Sequence, residues 1–409
     1  MGIKKYYLLL VIFSLKLYSE DIFVSKNQKT IKEAILQAKN GDKIIISSGV
    51  YFENEIIVDK KIDFVGINYP VIDGQNRKEI FLVLHDSVSF TNLEFKNAGI
   101  SYVKDNSAIR IENSKYCKIK NNKFVNNYFA IYLARTSNSE ISENIIQSVG
   151  SSESSSGNGI HLWNCNEILI SKNKINGHRD GVYLEFSKKC LIKNNLSYKN
   201  IRYGLHFMYS DNCSYYENTF SQNGSGVAVM YSNEIEMLKN NFVNNQGTSS
   251  YGLLFKDIKA SRVEGNYISK NSVGLYMEAS SKINIENNVF DENGFAIRLM
   301  ANSTDNFFNE NNFISNSFDV ATNSKSNFNC FEKNYWDKYN GYDLNKDGLG
   351  DVPYRPVKLF SVINSNYPTT LILLKSLFVD LLNLSEEILP SITPIDLIDK
   401  NPTMKYNYD

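Results

Sequence analysis

Apolar and polar residues alternate along most of this chain in short bursts that return at a fixed interval. The pattern is clearest in "GLHFMYS" (Gly204) and "GVAVMYS" (Gly226), where Leu205 and Phe207, then Val227 and Val229, take every second place. Alternation of period two is a strand with one buried face. The phrase, opening on Gly or Ala, recurs as "AIRIENS" (Ala108), "AIYLART" (Ala130), "GIHLWNC" (Gly159), "GVYLEFS" (Gly181), "GLLFKDI" (Gly252), "GLYMEAS" (Gly274) and "AIRLMAN" (Ala296). Successive phrases lie 22 or 23 residues apart, except for steps of 29 before Gly159 and 26 before Gly252. A second signal, Asn-x-apolar, accompanies them at Asn122, Asn144, Asn173, Asn195, Asn218, Asn240, Asn266, Asn288 and Asn311, with Ser197 departing from the apolar site after Asn195.

A unit of this length, rich in β-branched and aromatic residues, predicts an all-β chain in which each unit is one coil of a parallel β-helix. Each coil then holds about three short strands stacked about 4.8 Å above the last. Asn at one place per coil fits stacked amides that bond along the ladder, and Asn tolerates a tight bend.

Such a stack needs covers at both ends. In "TIKEAILQAKNGD" Thr30 reads as a helix N-cap with Glu33 three residues on, Ile31, Ala34, Ile35 and Ala38 form one stripe, and Gly41 is the stop, which predicts a capping helix at 30–40. The strands of "KIIISSGVY", "EIIVDKKIDFVGI" and "FLVLHDSVSFTNLEF" start the stack, and the Asn signal runs on to Asn334 in "KNYW". A terminal loop at 339–356 follows. Beyond it the segment 357–409 is different material: Leu371 to Leu389 reads as an apolar helix broken by Lys375, Asp380 and Glu386 and ended by Pro390 and Pro394. It is too short and too charged to span a bilayer; it could cap the stack, but so oily a tail is expected rather to dock on another protein or a membrane surface.

The front of the chain changes the picture of where it works. Lys4 and Lys5, an apolar run from Tyr6 to Leu15 and small Ser19 before Glu20 have the layout of a secretory signal over 1–19, leaving 20–356 as the β-helix domain of an exported protein. With 44 basic and 44 acidic residues the chain offers no excess positive charge for a nucleic-acid partner. Of five cysteines, Cys117, Cys190 and Cys213 share a column otherwise held by Ile168, Ile235 and Ile283, which predicts buried thiols. Cys190 and Cys213 fall in adjacent coils, but in-register neighbours seldom reach disulfide geometry.

Candidate chemistry lies on the outward positions. Counting from the Gly as zero, positions one and three are apolar and point inward, so two and four point out. Position two reads Arg110, Tyr132, His161, Tyr183, His206, Ala228, Leu254, Tyr276, Arg298; position four reads Glu112, Ala134, Trp163, Glu185, Met208, Met230, Lys256, Glu278, Met300. Met237 and Met277 fall inward as core fillers. His206, Met208 and Met230 can converge, and two thioethers with an imidazole are a soft donor set suited to copper(I). His161 and His178 are reserve ligands, Glu185 adjoins the patch, and Cys165 is the one thiol near enough to join it. The insertions "QSVGSSESSSGN" and "NNQGTSSY" leave the same bend and bracket these coils, as insertions at a binding face do. Asp343, Asn345, Asp347 and Asp351 take positions 1, 3, 5 and 9 of a calcium loop, but Tyr354 stands at position 12 where a bidentate Glu is needed, which favours a hydrogen-bonded turn over calcium.

The phrases "GIHLWNC", "GHRDGVYLEFS", "YGLHFMYSDN", "GVAVMYS" and "GFAIRLMANSTDNFF", with "DLNKDGLGDVPYRP" and "PSITPIDLIDKNPTM", resemble the NosD family of nitrous oxide reductase maturation across the mature chain. The resemblance implies a right-handed parallel β-helix in the periplasm, working beside an ABC transporter and its ATPase. It implies copper(I) received from a membrane-anchored copper chaperone, passed toward the copper clusters of nitrous oxide reductase, and a C-terminal tail that contacts the transporter's membrane subunit. The ligand assignment rests on the column and not on the resemblance. The rival reading is a β-helix polysaccharide lyase, hydrolase or epimerase, for which His178, Arg179, Asp180, Tyr183 and Glu185 form one small cluster without a partner acid; a surface adhesion module leaves the methionine column unexplained. The non-enzymatic, copper-handling reading is favoured.

Overall fold

The computed structural model describes residues 20–406 apart from 27, 102, 151, 390, 391, 394 and 395. The expected signal segment, Pro390 and Pro394 lie outside the described residues. The strands build three parallel sheets of 14, 12 and 13 members, and within each sheet a strand pairs with its counterparts one coil before and one coil after. This is the parallel β-helix that the repeat predicts.

Most strands of two sheets are three residues long with one inward residue, such as Ile119 in Lys118–Lys120 and Phe124 in Lys123–Val125. A left-handed residue turns the chain between them, and it stands immediately before each ladder Asn: Asn121, Glu143, Lys172, Asn194, Glu217 and Lys239 all have φ between 52° and 58°. The ladder asparagines therefore do not make the bend themselves. They are buried behind it, and from Asn122 to Asn334 each side-chain amide donates to the Oδ1 of the next at 2.9–3.2 Å. A second ladder, which the sequence reading missed, runs five residues later through Asn200, Asn223, Asn245, Asn271, Asn293 and Asn316, each backbone N–H donating to the next Oδ1 at 3.0 Å.

The third sheet holds the Gly/Ala phrases. Its inward residues Ile160, Leu162, Val182, Leu184, Leu205, Phe207, Val227 and Val229 are buried in one continuous core, with Met237 and Met277. A β-carbon placed on Gly159, Gly181, Gly204, Gly226, Gly252 or Gly274 would come within 2.5–2.7 Å of the carbonyl oxygen of the next phrase's first residue. Close coil-to-coil approach thus selects Gly there. The pairing steps over this residue, matching Asp180 with Tyr203 and then Val182 with Leu205. The residue just before the Gly faces outward too, since Asp180 and Tyr203 both lie against the His206 ring.

At the front, helix α1 (Ile31–Gln37) is closed by a capping box of Thr30 and Glu33 and buries Ile31, Ala34 and Ile35 as expected, but it ends with Ala38 in extended backbone, short of the expected bound at 40 and the Gly41 stop. Asp21–Val24, before it, forms the first strand of the 14-stranded sheet. At the back, the segment read as one docking tail divides. Helix α2 (Leu359–Asn366), a 3₁₀ turn (Pro368–Leu373) and helix α3 (Leu377–Ile388) replace the single expected helix, which breaks before Ser376 in extended backbone. Phe360 and Val379 pack on the outward face of the last coils, against Val273, Phe295, Phe318 and Ala321. The chain then rejoins the stack, with Asp399 bridging beside Phe331 and Thr403 beside Tyr335. Buried Asp399 ends the first Asn ladder by accepting from the Asn334 amide and the Trp336 indole, both at 3.0 Å. Among the described residues no helix is long and apolar enough to cross a membrane.

Candidate metal centre

The outward column has the composition and order predicted for it. Strand pairing places Tyr132, His161, Tyr183, His206 and Ala228 side by side in successive coils, and Trp163, Glu185, Met208, Met230 and Lys256 likewise. Rings at the spacing of a sheet bury one another: Tyr132 to His161 is 4.7 Å between centroids, His161 to Tyr183 4.8 Å and Tyr183 to His206 4.6 Å. Although it faces outward, His206 is only 5% exposed and His161 6%.

His206 is held on three sides. Tyr183 stacks on it at 17°, Tyr203 lies 4.9 Å away at 54°, and Nδ1 sits 3.5 Å from Asp180 Oδ2. Neither ring nitrogen makes a hydrogen bond, although both are buried. An imidazole nitrogen left without a hydrogen bond in a buried position costs free energy. Asp180 is fully buried and clamped by Arg202, whose Nε donates to Oδ1 at 2.9 Å and Nη2 to Oδ2 at 2.5 Å. Burial alone would raise this carboxyl, but the Arg202 guanidinium and then His206 outweigh it and hold it down at about 2.

Two coil-to-coil contacts link the imidazoles to the position-four column. Tyr183 donates its hydroxyl to Met208 Sδ at 3.4 Å, and burial, reinforced by Glu185 and Asp180, pushes that phenol up to about 12, so it remains a donor. Met208 pairs in register with Met230, and both are half-buried. On the other side His161 Nε2 lies 3.8 Å from Glu185 Oε2 with no hydrogen bond, while Asn158 from the first insertion lies 3.5 Å from its Nδ1. Burial lowers the His161 pKa, with Glu185 opposing.

Two of the reserve ligands are elsewhere. His178 occupies the corner place that Asn200 and its successors hold in later coils, its own N–H donating to Asn200 Oδ1 at 3.2 Å. It is 1% exposed, and burial drives it down to about 4. Cys165 faces the core, its Sγ against the Leu133 and Trp163 carbonyls, and burial pushes its thiol up to about 12. A thiol so hard to ionise is a poor ligand. Cys117, Cys190 and Cys213 are buried and unbridged. The calcium-loop residues spend their oxygens on the turn: Asp343 accepts from the Lys346 and Gly348 amides, Asp347 from Leu349 and Asp351 from Leu344. Among the described residues no three of His, Cys, Asp and Glu converge as a metal cage, so a site on this face must draw on its methionines.

Sequence reasoning missed the Asp180–Arg202 support of His206. The signal lay in "RDG" and "IRYG", but strict alternation sends the residue before the Gly inward, whereas Asp180 lies against the outward His206.

Residues 147–346 match the family model described as periplasmic copper-binding protein (NosD). Two curated relatives are each described as a probable ABC transporter binding protein NosD. The one from Stutzerimonas stutzeri is 29% identical over 196 residues, 44% of each chain, so that match spans less than half of the relative. The one from Pseudomonas aeruginosa is 26% identical over 389 residues, 90% of each chain. Among solved structures, the Dettilon tailspike protein aligns with a TM-score of 0.58 at 13% identity, over 75% of this chain and 69% of that one. The A-module of a mannuronan C-5 epimerase from Azotobacter vinelandii aligns with 0.50 at 12%, over 72% and 86%. At such identities the structural likeness shows the fold alone.

Proposed function

We propose, from the premise that this is a NosD-family protein, that the ring-and-thioether face is a copper(I) site of a periplasmic binding protein serving an ABC transporter. The observation that carries this reading is His206, a buried imidazole whose Nδ1 faces Asp180 at 3.5 Å and whose Nε2 has no hydrogen-bond partner, beside Met208 and Met230 paired in register. The donor set fits the ion: thioethers and an imidazole select a soft monovalent cation over calcium, magnesium or zinc. Copper here is cargo. It arrives from a membrane-anchored copper chaperone and leaves toward the clusters of nitrous oxide reductase, with His161 and Glu185 at the approach to the site. Apolar side chains left exposed on α3, Leu377, Phe378, Leu381, Leu384 and Ile388, are the surface that docks on the transporter's membrane subunit.

A copper(I) competition titration on the mature protein tests the site, run beside the variant with His206, Met208 and Met230 all changed to Ala. One-to-one binding that the variant loses, with its melting temperature retained, is the expected result. Equal binding by both proteins would remove the assignment. The carbohydrate-enzyme reading keeps only the fold's favour, since Asp180 is taken by Arg202 and Glu185 faces His161.

A further inference from the structure

Around the candidate site lies a polar assembly that ligand binding alone does not explain. Asp180 is 0% exposed and accepts both arms of Arg202 and the Tyr203 N–H at 3.3 Å, and its Oδ2 also lies 3.5 Å from His206 Nδ1. The three residues come from two successive coils: Asp180 precedes Gly181, while Arg202 and His206 flank Gly204. An ion pair buried to this extent is seldom a gain in stability over apolar residues of the same volume. Its orientation, however, gives the imidazole a preferred side. A carboxylate accepts only, so the nitrogen facing it is the one that carries the proton, and the opposite nitrogen keeps its lone pair.

We propose that Asp180, anchored by Arg202, is a positioning residue that fixes His206 as the Nδ1–H tautomer, with Nε2 turned away from the carboxylate and free to take a soft metal ion. The second half of this statement rests on the copper(I) reading above; the first half does not. Tyr183 and Tyr203 hold the plane of the ring, and Asp180 chooses which nitrogen is presented. Carboxylates in this relation to a ligating histidine are worth about 10- to 100-fold in metal affinity.

The test reads the tautomer directly, in metal-free protein, by long-range ¹H–¹⁵N correlation of the His206 ring. The expected spectrum has a protonated Nδ1 and an unprotonated Nε2. In the double variant Asp180→Leu with Arg202→Met, which replaces the buried pair by apolar residues of like size, the ring should lose that preference and copper(I) affinity should fall about 10- to 100-fold. Asp180→Asn, which keeps a carbonyl oxygen facing Nδ1, should recover part of both. A wild-type ring protonated on Nε2, or a double variant whose tautomer is unchanged, overturns the proposal. If the tautomer responds as described while wild-type protein binds no copper(I), the positioning stands and the copper reading falls. If copper(I) binds through His206 but the tautomer ignores Asp180, the reverse holds.

Discussion

His178 shows how one residue can be misread from its type. It stands two residues before Asp180, yet its side chain is buried in the corner column where later coils place Asn, and neither ring nitrogen finds a partner. The folded protein holds it at about 4, against 6.5 for a free imidazole. Above pH 6.5 folded and unfolded chains are both neutral there and the residue adds no pH dependence. Between 6.5 and 4 only the unfolded chain takes up the proton, so stability drops as pH falls through that window, by about 3 kcal/mol in all. His178→Asn should abolish this share of the loss and be at least as stable at pH 7, because Asn extends the second ladder back by one coil. Urea denaturation at pH 7 and pH 4.5 decides it; equal acid sensitivity in both proteins would refute the account. The outward histidines and methionines were legible because strand alternation is a local rule. His178 was not, because its column lies in a corner, where no alternation tells inward from outward and only the fixed step of five residues from the ladder Asn marks the place.

The elements repeat the lesson. The first Asn ladder could be read because Asn-x-apolar recurs beside every phrase; the second escaped because Val149 and His178 interrupt it in two consecutive coils. Both ladders do the same work, closing buried polar groups that no strand partner reaches. Asn218 illustrates the density of bonds at one rung: its Oδ1 accepts from the Asn195 backbone and side chain, and its Nδ2 donates to Ile192, Tyr216 and Asn240. Asn218→Ala leaves the Asn195 N–H and the Ile192 carbonyl buried and unmet, and should cost about 2–4 kcal/mol by denaturant unfolding. A loss under about 0.5 kcal/mol would mean that water replaces the amide. The residue before each Gly explains why the Asp180 contact to His206 was invisible beforehand. It is made between two neighbouring coils, and no single phrase contains it.

At the scale of the molecule, the helical segment is both a cover and a surface. One side of it packs on Phe295 and Phe318, while Leu381 and Leu384 are more than half exposed. Leu381→Asp with Leu384→Asp should leave the melting temperature within about 2 °C, since exposed side chains contribute little to folding. The same variant should no longer co-purify with the transporter's membrane subunit; retained co-purification would assign the contact to another face. That the chain carries an apolar tail was plain from composition. Its path was not, because the return to the stack depends on one aspartate accepting from partners more than 60 residues away. The ladder bonds from Asn122 to Asn334 join residues 22 to 29 apart, whereas Asp399 meets Asn334 across 65. Loop closure over the longer span is the slower event. As the chain emerges from its front end, the coils bearing His206 and Met230 can therefore zip up while the far end is still open, and the face proposed to take copper is ready before the helical segment proposed to dock it.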